Sequence, residues 1–512
     1  MVIYAGNIKI FNLYGVIKML DYVIDATIKY VEQMPKECRK KFGQFFTSKE
    51  TAIFMAELFD IPKNKDSISI LDPGAGSGIL AVALIERLQK YSAIKNIELT
   101  CYENDSNIQD LLKKNLHWVS EHTSVKISYK VINGNYILDQ KDDYNLSAGN
   151  NTKNKFDMVI GNPPYMKIAK EAPEAAAMPD ICYGAPNLYF LFAMMSLFNL
   201  RENGEMVYII PRSWTSGAYF KKFREKFLKY GALEYVHLFT SRDKVFENES
   251  ILQETMIIRM RKSLQRPKKV VITTSKSNAD FSEKTFFTVS YDTIVSGKEQ
   301  YVYLVTNEKE VELLKKLNNW KDTLPSIGLK MKTGLTVDFR NREELRDVAE
   351  EGAVPLFYSQ HIQNGKIVFP TGEKQEYIFT DKNSLLQNNE NYLFVKRFTA
   401  KEEHRRLQCG VYLAKTQPKY SKISTQNKIN FICGLKGLSE CVVYGLYVLF
   451  NSTIYDKYYR ILNGSTQVNS TEINAMPVPP LNIIETMGRE LMHISDMSEM
   501  SCDKILKEFI YG

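Results

Sequence analysis

The chain has 512 residues, of which 44% are hydrophobic and 25% charged, and carries a formal charge of +8. Such a composition belongs to a soluble globular protein of two or three domains with ample core, and the moderate charge only hints at an anionic partner. It excludes a membrane-spanning class, since no long apolar run occurs, and a secreted one, since the mildly apolar Val2–Leu20 is broken by Asn7, Lys9, Asn12 and Lys18 and reaches no small-residue cleavage site. Seven cysteines and six histidines are scattered without Cys-x-x-Cys or zinc spacing, so a cytoplasmic, reduced location and no metal are expected.

Residues 1–39 read as an N-terminal extension and helix, with Met19 as an alternative start. In Lys40–Ser48 the hydroxyl of Thr47 or Ser48 caps a helix running to about Asp60, with Glu50 in its first turn. A helix start of this kind suits a carboxylate, although a capped amphipathic helix needs no ligand. An alternating strand from Ser67 then meets Asp72-Pro73-Gly74-Ala75-Gly76-Ser77-Gly78, and a helix follows from Ile79 to about Lys90. The glycines let the backbone turn sharply and approach a ligand closely, but the spacing is neither the dinucleotide fingerprint nor a P-loop. Asp72 at the strand end suits a cation such as the ammonium of an amino acid. The next strand, Ile97–Tyr102, ends at Glu103, placed to accept from a ribose diol. A third strand, about Val125–Ile132, leads to Asn135 and Tyr136, an amide and a ring suited to an adenine edge and face; Asp139–Lys155 reads as a polar loop.

The apolar run Phe156–Val159 reads as a buried parallel strand, and it ends in Ile160-Gly161-Asn162-Pro163-Pro164-Tyr165. Two prolines stop the strand and lack N–H groups, which frees the Pro163 carbonyl to accept from outside. Asn162 adds a second neutral acceptor and Tyr165 a flat ring. Two acceptors beside a ring fit a planar molecule with an exocyclic amine, such as adenine N6. That amine is a poor nucleophile because its lone pair is delocalised; acceptors on both hydrogens favour a tetrahedral nitrogen with the pair restored. Beyond this, Pro186–Leu200 and Ala218–Tyr230 read as helices, Glu205–Pro211 as a strand, and Glu234–Phe239 and Glu254–Met260 as a final antiparallel pair with Phe246 between them.

An ammonium site, a ribose site and an adenine site on successive strand ends describe S-adenosylmethionine. With these motifs in this order, residues 40–260 resemble the gamma class of DNA adenine-N6 methyltransferases, the TaqI-like group. The resemblance implies an α/β fold: a doubly wound, seven-strand Rossmann-like methyltransferase domain over 40–265, then a C-terminal mixed α+β target-recognition domain over 266–512. It implies that Thr47 and Asp72 hold the methionine part of S-adenosylmethionine at the Pro73, Gly74, Gly76 and Gly78 bend. It places Glu103 on the ribose and Tyr136 beside the cofactor adenine, while Asn135 stands where the family has Asp. Asn162, Pro163, Pro164 and Tyr165 would hold the target amine and base, with Phe246 covering the other face of a flipped adenine. The partner implied is double-stranded DNA, met by a monomer.

Arg266-Pro267-Lys268-Lys269 marks the expected boundary, after which aromatic and basic residues interleave. Lys330–Leu335 with Phe339-Arg340-Asn341-Arg342, Tyr358–His361 with the hairpin signal Asn364-Gly365, Lys396-Arg397-Phe398, Ser421–Asn430 and Asn463–Asn469 stand out. Arg, Lys, Asn and Gln are the side chains that read base edges and hold phosphates. Glu485–Tyr511 reads as one or two amphipathic helices. A glutamine methyltransferase of release factors shares the Asn-Pro-Pro-Tyr motif but lacks a large basic second half; an RNA methyltransferase is a further alternative. Intact motifs at Asp72–Gly78 and Asn162–Tyr165 oppose a non-catalytic DNA-specificity subunit. No nuclease motif of the Pro-Asp…Glu-x-Lys kind occurs, which leaves room for a separate cognate endonuclease.

Overall fold

The computed structural model describes residues 18–33, 46–91, 93–146, 155–240, 255–400, 403–463 and 466–511. They fall into two compact units: Met1–Pro211 with Phe227–Pro267 and Thr273–Thr285, and Arg212–Lys226 with Lys268–Ile272 and Phe286–Gly512.

The first unit opens with α1 (Met19–Gln33) and α2 (Lys49–Glu57), the latter capped by the Ser48 hydroxyl, which accepts from Thr51 N–H. β1 (Ser67–Asp72), α3 (Ile79–Leu88), β2 (Asn96–Tyr102), α4 (Ser106–His122) and β3 (Lys126–Ile132) follow. Then come α5 (Tyr136–Leu146), β4 (Phe156–Gly161), α6 (Pro173–Ala177), α7 (Leu188–Asn199) and β5 (Leu200–Pro211). β6 (Gly231–Phe239) and β7 (Thr255–Lys262) bring the sheet to the order β3-β2-β1-β4-β5-β7-β6. The pairs β1–β2, β2–β3, β1–β4 and β4–β5 are parallel, and β7 lies antiparallel between β5 and β6. β1 and β4 are buried almost throughout, as strands covered on both faces must be. A core of aliphatic residues from α3, β1, β2 and α4 includes Ile70, Val82, Leu99 and Leu112.

Three expectations are corrected. The sheet has nine strands rather than seven, because β8 (Lys269–Ser275) and β9 (Thr285–Ser290) extend its β6 edge; the basic Arg266–Lys269 run had suggested a boundary there. Residues 139–146 are helical rather than a loop, because Asn135 caps α5: its Oδ1 accepts from Ile137 N–H at 3.1 Å and Leu138 N–H at 3.2 Å. The helix expected from Ala218 begins as a 3-10 turn, Ala218–Phe220, before Lys221–Tyr230.

In the second unit, strands Leu329–Thr333, Ile429–Gly434, Tyr392–Lys396, Cys409–Tyr412, Lys366–Ile367 and Ile362–Gln363 form one sheet in that order. The last two make the hairpin read from Asn364-Gly365, with positive φ at both turn residues (47° and 79°), as a primed turn requires. The unit also holds a five-stranded sheet and, among its helices, Glu308–Leu317, Glu440–Phe450, Thr453–Leu462, Leu481–Ile494 and Glu499–Tyr511. No helix among the described residues is long and apolar enough to cross a membrane.

Candidate active site

β1 lies between β2 and β4, so the chain leaves β1 and β4 at one edge of the sheet, where a doubly wound fold opens a crevice. The register Ile70↔Met158 and Leu71↔Val159 sets the Asp72 bend beside Asn162. A Cβ added at Gly74 would lie 3.9 Å from the Asn162 carbonyl oxygen. Between them is a cavity of about 230 Å³. Of the residues expected at a site, Pro73, Gly74, Gly76, Glu103, Asn135, Tyr136, Asn162 and Pro164 line it. Thr47, Asp72, Gly78, Pro163 and Tyr165 stand behind that lining, all buried. Phe246 lies outside the described residues.

Gly78, at φ +90°, is the N-cap of α3, a conformation that disfavours a side chain, and a Cβ there would come within 2.9 Å of Leu112. Gly76 N–H donates to Glu103 Oε2 at 2.9 Å, and Asp105 N–H to Oε1 at 3.0 Å, so the bend and the end of β2 are fastened through one carboxylate. Burial raises the Glu103 pKa despite those amides. Asp72 is wholly buried, and among the described residues no hydrogen bond reaches either of its oxygens. Burial pushes its pKa up to about 7; the nearby amide of Gly74 offsets this in part, the Glu103 charge adds to it, and the amide of Ala81 offsets it further.

Asn162 is gripped at both ends. Its Nδ2 donates to Thr47 Oγ1 at 3.2 Å, and its Oδ1 accepts from the Tyr165 hydroxyl at 2.8 Å. That hydroxyl also reaches the Ile209 carbonyl on β5 at 2.9 Å, so a single proton is shared between two acceptors. The Tyr165 ring is 9% exposed and meets Tyr189 edge-on, at 6.4 Å and 89°. Gly161 before Asn162 has no room for more: a Cβ would be 3.0 Å from Tyr208 Cζ. Tyr136 is buried, its hydroxyl donating to Asn199 Oδ1 at 2.6 Å. Asn135, its oxygen engaged in capping α5, donates from Nδ2 to Glu174 Oε1 at 2.6 Å.

Sequence reasoning missed Phe46, Tyr102, Asn104, Gly134, Met166, Glu174, Leu188 and Phe192, which complete the lining. The last four come from one device. Leu188 N–H donates to Met166 C=O and Ile168 N–H to Pro186 C=O, both at 2.8 Å, so the chain after Asn-Pro-Pro-Tyr pairs with the entry to α7. No local periodicity announces such a pairing; the apolar run Pro186–Leu200 announced α7 alone, and its Asn187 cap is a finding of the structure.

Residues 35–246 match the Eco57I restriction-modification methylase family. The chain is 33% identical over 484 residues to the type II methyltransferase M.PstI of Providencia stuartii, covering 92% of this chain and 93% of that protein. It is 32% identical to the type II methyltransferase M.BsuBI of Bacillus subtilis, covering 92% and 94%. A structure of a nuclease-deletion mutant of the type ISP restriction-modification enzyme LlaGI, in complex with a DNA substrate mimic, aligns with 92% of this chain and 56% of that one at a TM-score of 0.51. At 10% identity, that is a likeness of fold.

Proposed function

We propose, from the premise that this chain belongs to the type II restriction-modification methyltransferases of the Eco57I methylase family, that it transfers a methyl group from S-adenosylmethionine to N6 of an adenine in double-stranded DNA. The observation that carries the reading is that the glycine bend after β1 and the Asn-Pro-Pro turn after β4 line one cavity. S-adenosylmethionine supplies a methyl group on a positively charged sulfur when bound. The residues present fit it. The unpartnered, buried Asp72 carboxylate suits an ammonium charge, Glu103 keeps acceptor capacity beyond its two amides for a ribose diol, and Tyr136 gives an aromatic wall. Asp72 would hold the ammonium in its charged form, which such a neighbour would favour over the protonated form that burial favours.

Asn162 and the Pro163 carbonyl accept from the two hydrogens of the adenine amine. Thr47 holds the amide end of Asn162, which keeps its oxygen turned as an acceptor. The base, which leaves the duplex at a cost of a few kcal/mol, lies against the Asn-Pro-Pro turn, and the Tyr165 hydroxyl braces that turn from behind. Attack on a methyl group carried by a sulfonium would need no strong base, so the work left to Asn162, Pro163 and the bend is alignment and local electrostatics. A separate cognate endonuclease belongs to the same reading.

The test is to incubate the protein with methyl-labelled S-adenosylmethionine and duplex DNA and identify the labelled nucleoside. N6-methyldeoxyadenosine is expected from the wild type. Asn162→Ala is expected to lower turnover by roughly 10²–10³-fold while still binding S-adenosylhomocysteine. Label in methylcytosine, in RNA alone or in protein alone would refute the assignment.

A further inference from the structure

Four of the stretches that sequence alone marks as basic, aromatic and amide-rich lie far apart in the chain, yet the second unit gathers them at one end of its six-stranded sheet. The antiparallel pairs Thr333↔Asn430 and Lys396↔Ile429 bring the end of Leu329–Thr333, the start of Ile429–Gly434 and the end of Tyr392–Lys396 together. Backbone bonds then tie the loops that leave them. Asn427 N–H donates to Thr336 C=O at 2.8 Å, Arg397 N–H to Lys428 C=O at 2.9 Å, and Val468 N–H to Arg397 C=O at 2.7 Å. Phe398 forms a bridge with Gln467, and Asn430 Nδ2 donates to Val468 C=O at 2.7 Å. The loops therefore form one braced platform whose ordering is settled before any partner arrives.

Two phenylalanines stand out from this platform, Phe339 at 62% exposure and Phe398 at 46%. Each carries a guanidinium against its ring: Arg340 at 5.5 Å from the Phe339 centroid and Arg397 at 5.4 Å from that of Phe398. Arg340, Arg342 and Lys428 are exposed around them. Asp338, next to Phe339, is occupied by Gln426 Nε2 at 3.2 Å and the Phe339 amide at 2.9 Å, while Glu343 beside Arg342 is exposed. Exposed rings set among fixed cations suit a polyanion that also presents flat aromatic faces.

We propose that this end of the sheet is the face by which the second unit meets duplex DNA, with Arg340, Arg342, Arg397 and Lys428 on phosphates and Phe339 and Phe398 against the base edges of the groove they enter. The proposal rests on the methyltransferase reading and adds where the DNA is held. Cations on phosphates release counterions, so each should contribute to the salt dependence of binding, whereas ring contacts should not.

The test uses the full chain, a duplex carrying the methylated site found by sequencing, and a scrambled duplex of equal length, with affinity followed by fluorescence anisotropy across salt concentrations. Arg340→Ala with Arg342→Ala, and Lys428→Ala, should weaken both duplexes and lower the salt slope by about one per cation removed. Phe339→Ala and Phe398→Ala should weaken the site duplex by about tenfold or more, leave the salt slope unchanged, and leave S-adenosylhomocysteine affinity at the wild-type value, which also reports an intact fold. Variants that keep cofactor affinity and bind both duplexes as the wild type does would overturn the proposal while the function stands. So would a change confined to self-association in sedimentation. A wild type that neither binds nor methylates duplex DNA would overturn the function and this proposal together.

Discussion

Asn162 is useful to catalysis only if its oxygen, and not its NH₂, faces the amine, and an amide has no intrinsic preference between the two orientations. Thr47 and the Tyr165 hydroxyl decide it by taking the amide nitrogen and one lone pair of the oxygen. In the proposed reaction this gives Tyr165 two separable jobs, a hydroxyl that orients Asn162 and a ring that packs behind the turn carrying it. Tyr165→Phe keeps the ring and loses the bonds to Asn162 and Ile209, and should lower kcat about tenfold, the worth of one hydrogen bond. Tyr165→Ala should cost at least a further tenfold. The measurement is single-turnover methylation with saturating cofactor; a Tyr165→Phe rate equal to wild type would mean that the hydroxyl does not set Asn162. The short motif was legible in sequence because its residues are contiguous. The hydroxyl's partner Ile209, 44 residues on, and the Thr47–Asn162 bond, spanning 115 residues, were not, since each depends on which strands become neighbours.

At the scale of elements, the site depends on β1 and β4 holding register, and a charged residue inside β4 helps to fix it. Asp157 sits in an otherwise apolar strand, 6% exposed, and accepts from both the amide and the hydroxyl of Ser69 on β1 at 2.9 Å. Lys65 and, at 2.7 Å, Arg201 pair with its outer edge. Burial would raise its pKa, but Lys65, the Ser69 amide and Arg201 pull harder and hold it below the usual carboxylate value. Its pairing therefore stabilises the fold fully above the unfolded pKa of about 3.9 and is lost as pH falls through the lower, folded value. Asp157→Ala should cost about 2–3 kcal/mol near neutral pH, toward the low end for a broken buried pair because both cations reach water. It should also flatten the loss of stability on acidification below about pH 4. Urea midpoints from pH 3 to pH 7 with an unchanged slope would register both, and a parallel pH profile for the two proteins would count against the clamp. β4 was legible because burial on both faces leaves an apolar run, and β1 because its alternation runs into the Asp-Pro-Gly bend. α5 was not, because Asp139–Leu146 shows neither apolar periodicity nor length, and its start is set by the Asn135 cap, a residue read for ligand chemistry instead.

For the whole molecule, a boundary drawn at a basic run treats the chain as two beads, whereas it passes between its units at 211/212, 226/227, 267/268, 272/273 and 285/286. Composition cannot reveal this, because a segment that crosses over for a dozen residues carries no change of pattern. The consequence is concrete at β6. His237 is fully buried there, its Nδ1 bonded to Thr273 Oγ1 at 2.8 Å and its Nε2 to Ser275 Oγ at 3.1 Å, and burial, with Lys284 nearby, pushes its pKa down to about 3. Both partners belong to β8, beyond residue 265. A fragment of residues 1–265 would strip that imidazole of both hydrogen-bond partners and of the Phe281 ring beside it, and leave β6 as an open edge able to pair with other chains. A fragment of residues 1–290 retains β8 and both bonds. The longer fragment should be monodisperse and bind S-adenosylhomocysteine, and the shorter should melt earlier and associate with rising concentration. Equal melting points and equal sedimentation for the two would show that β8 is an appendage to the catalytic unit rather than the strand that closes it.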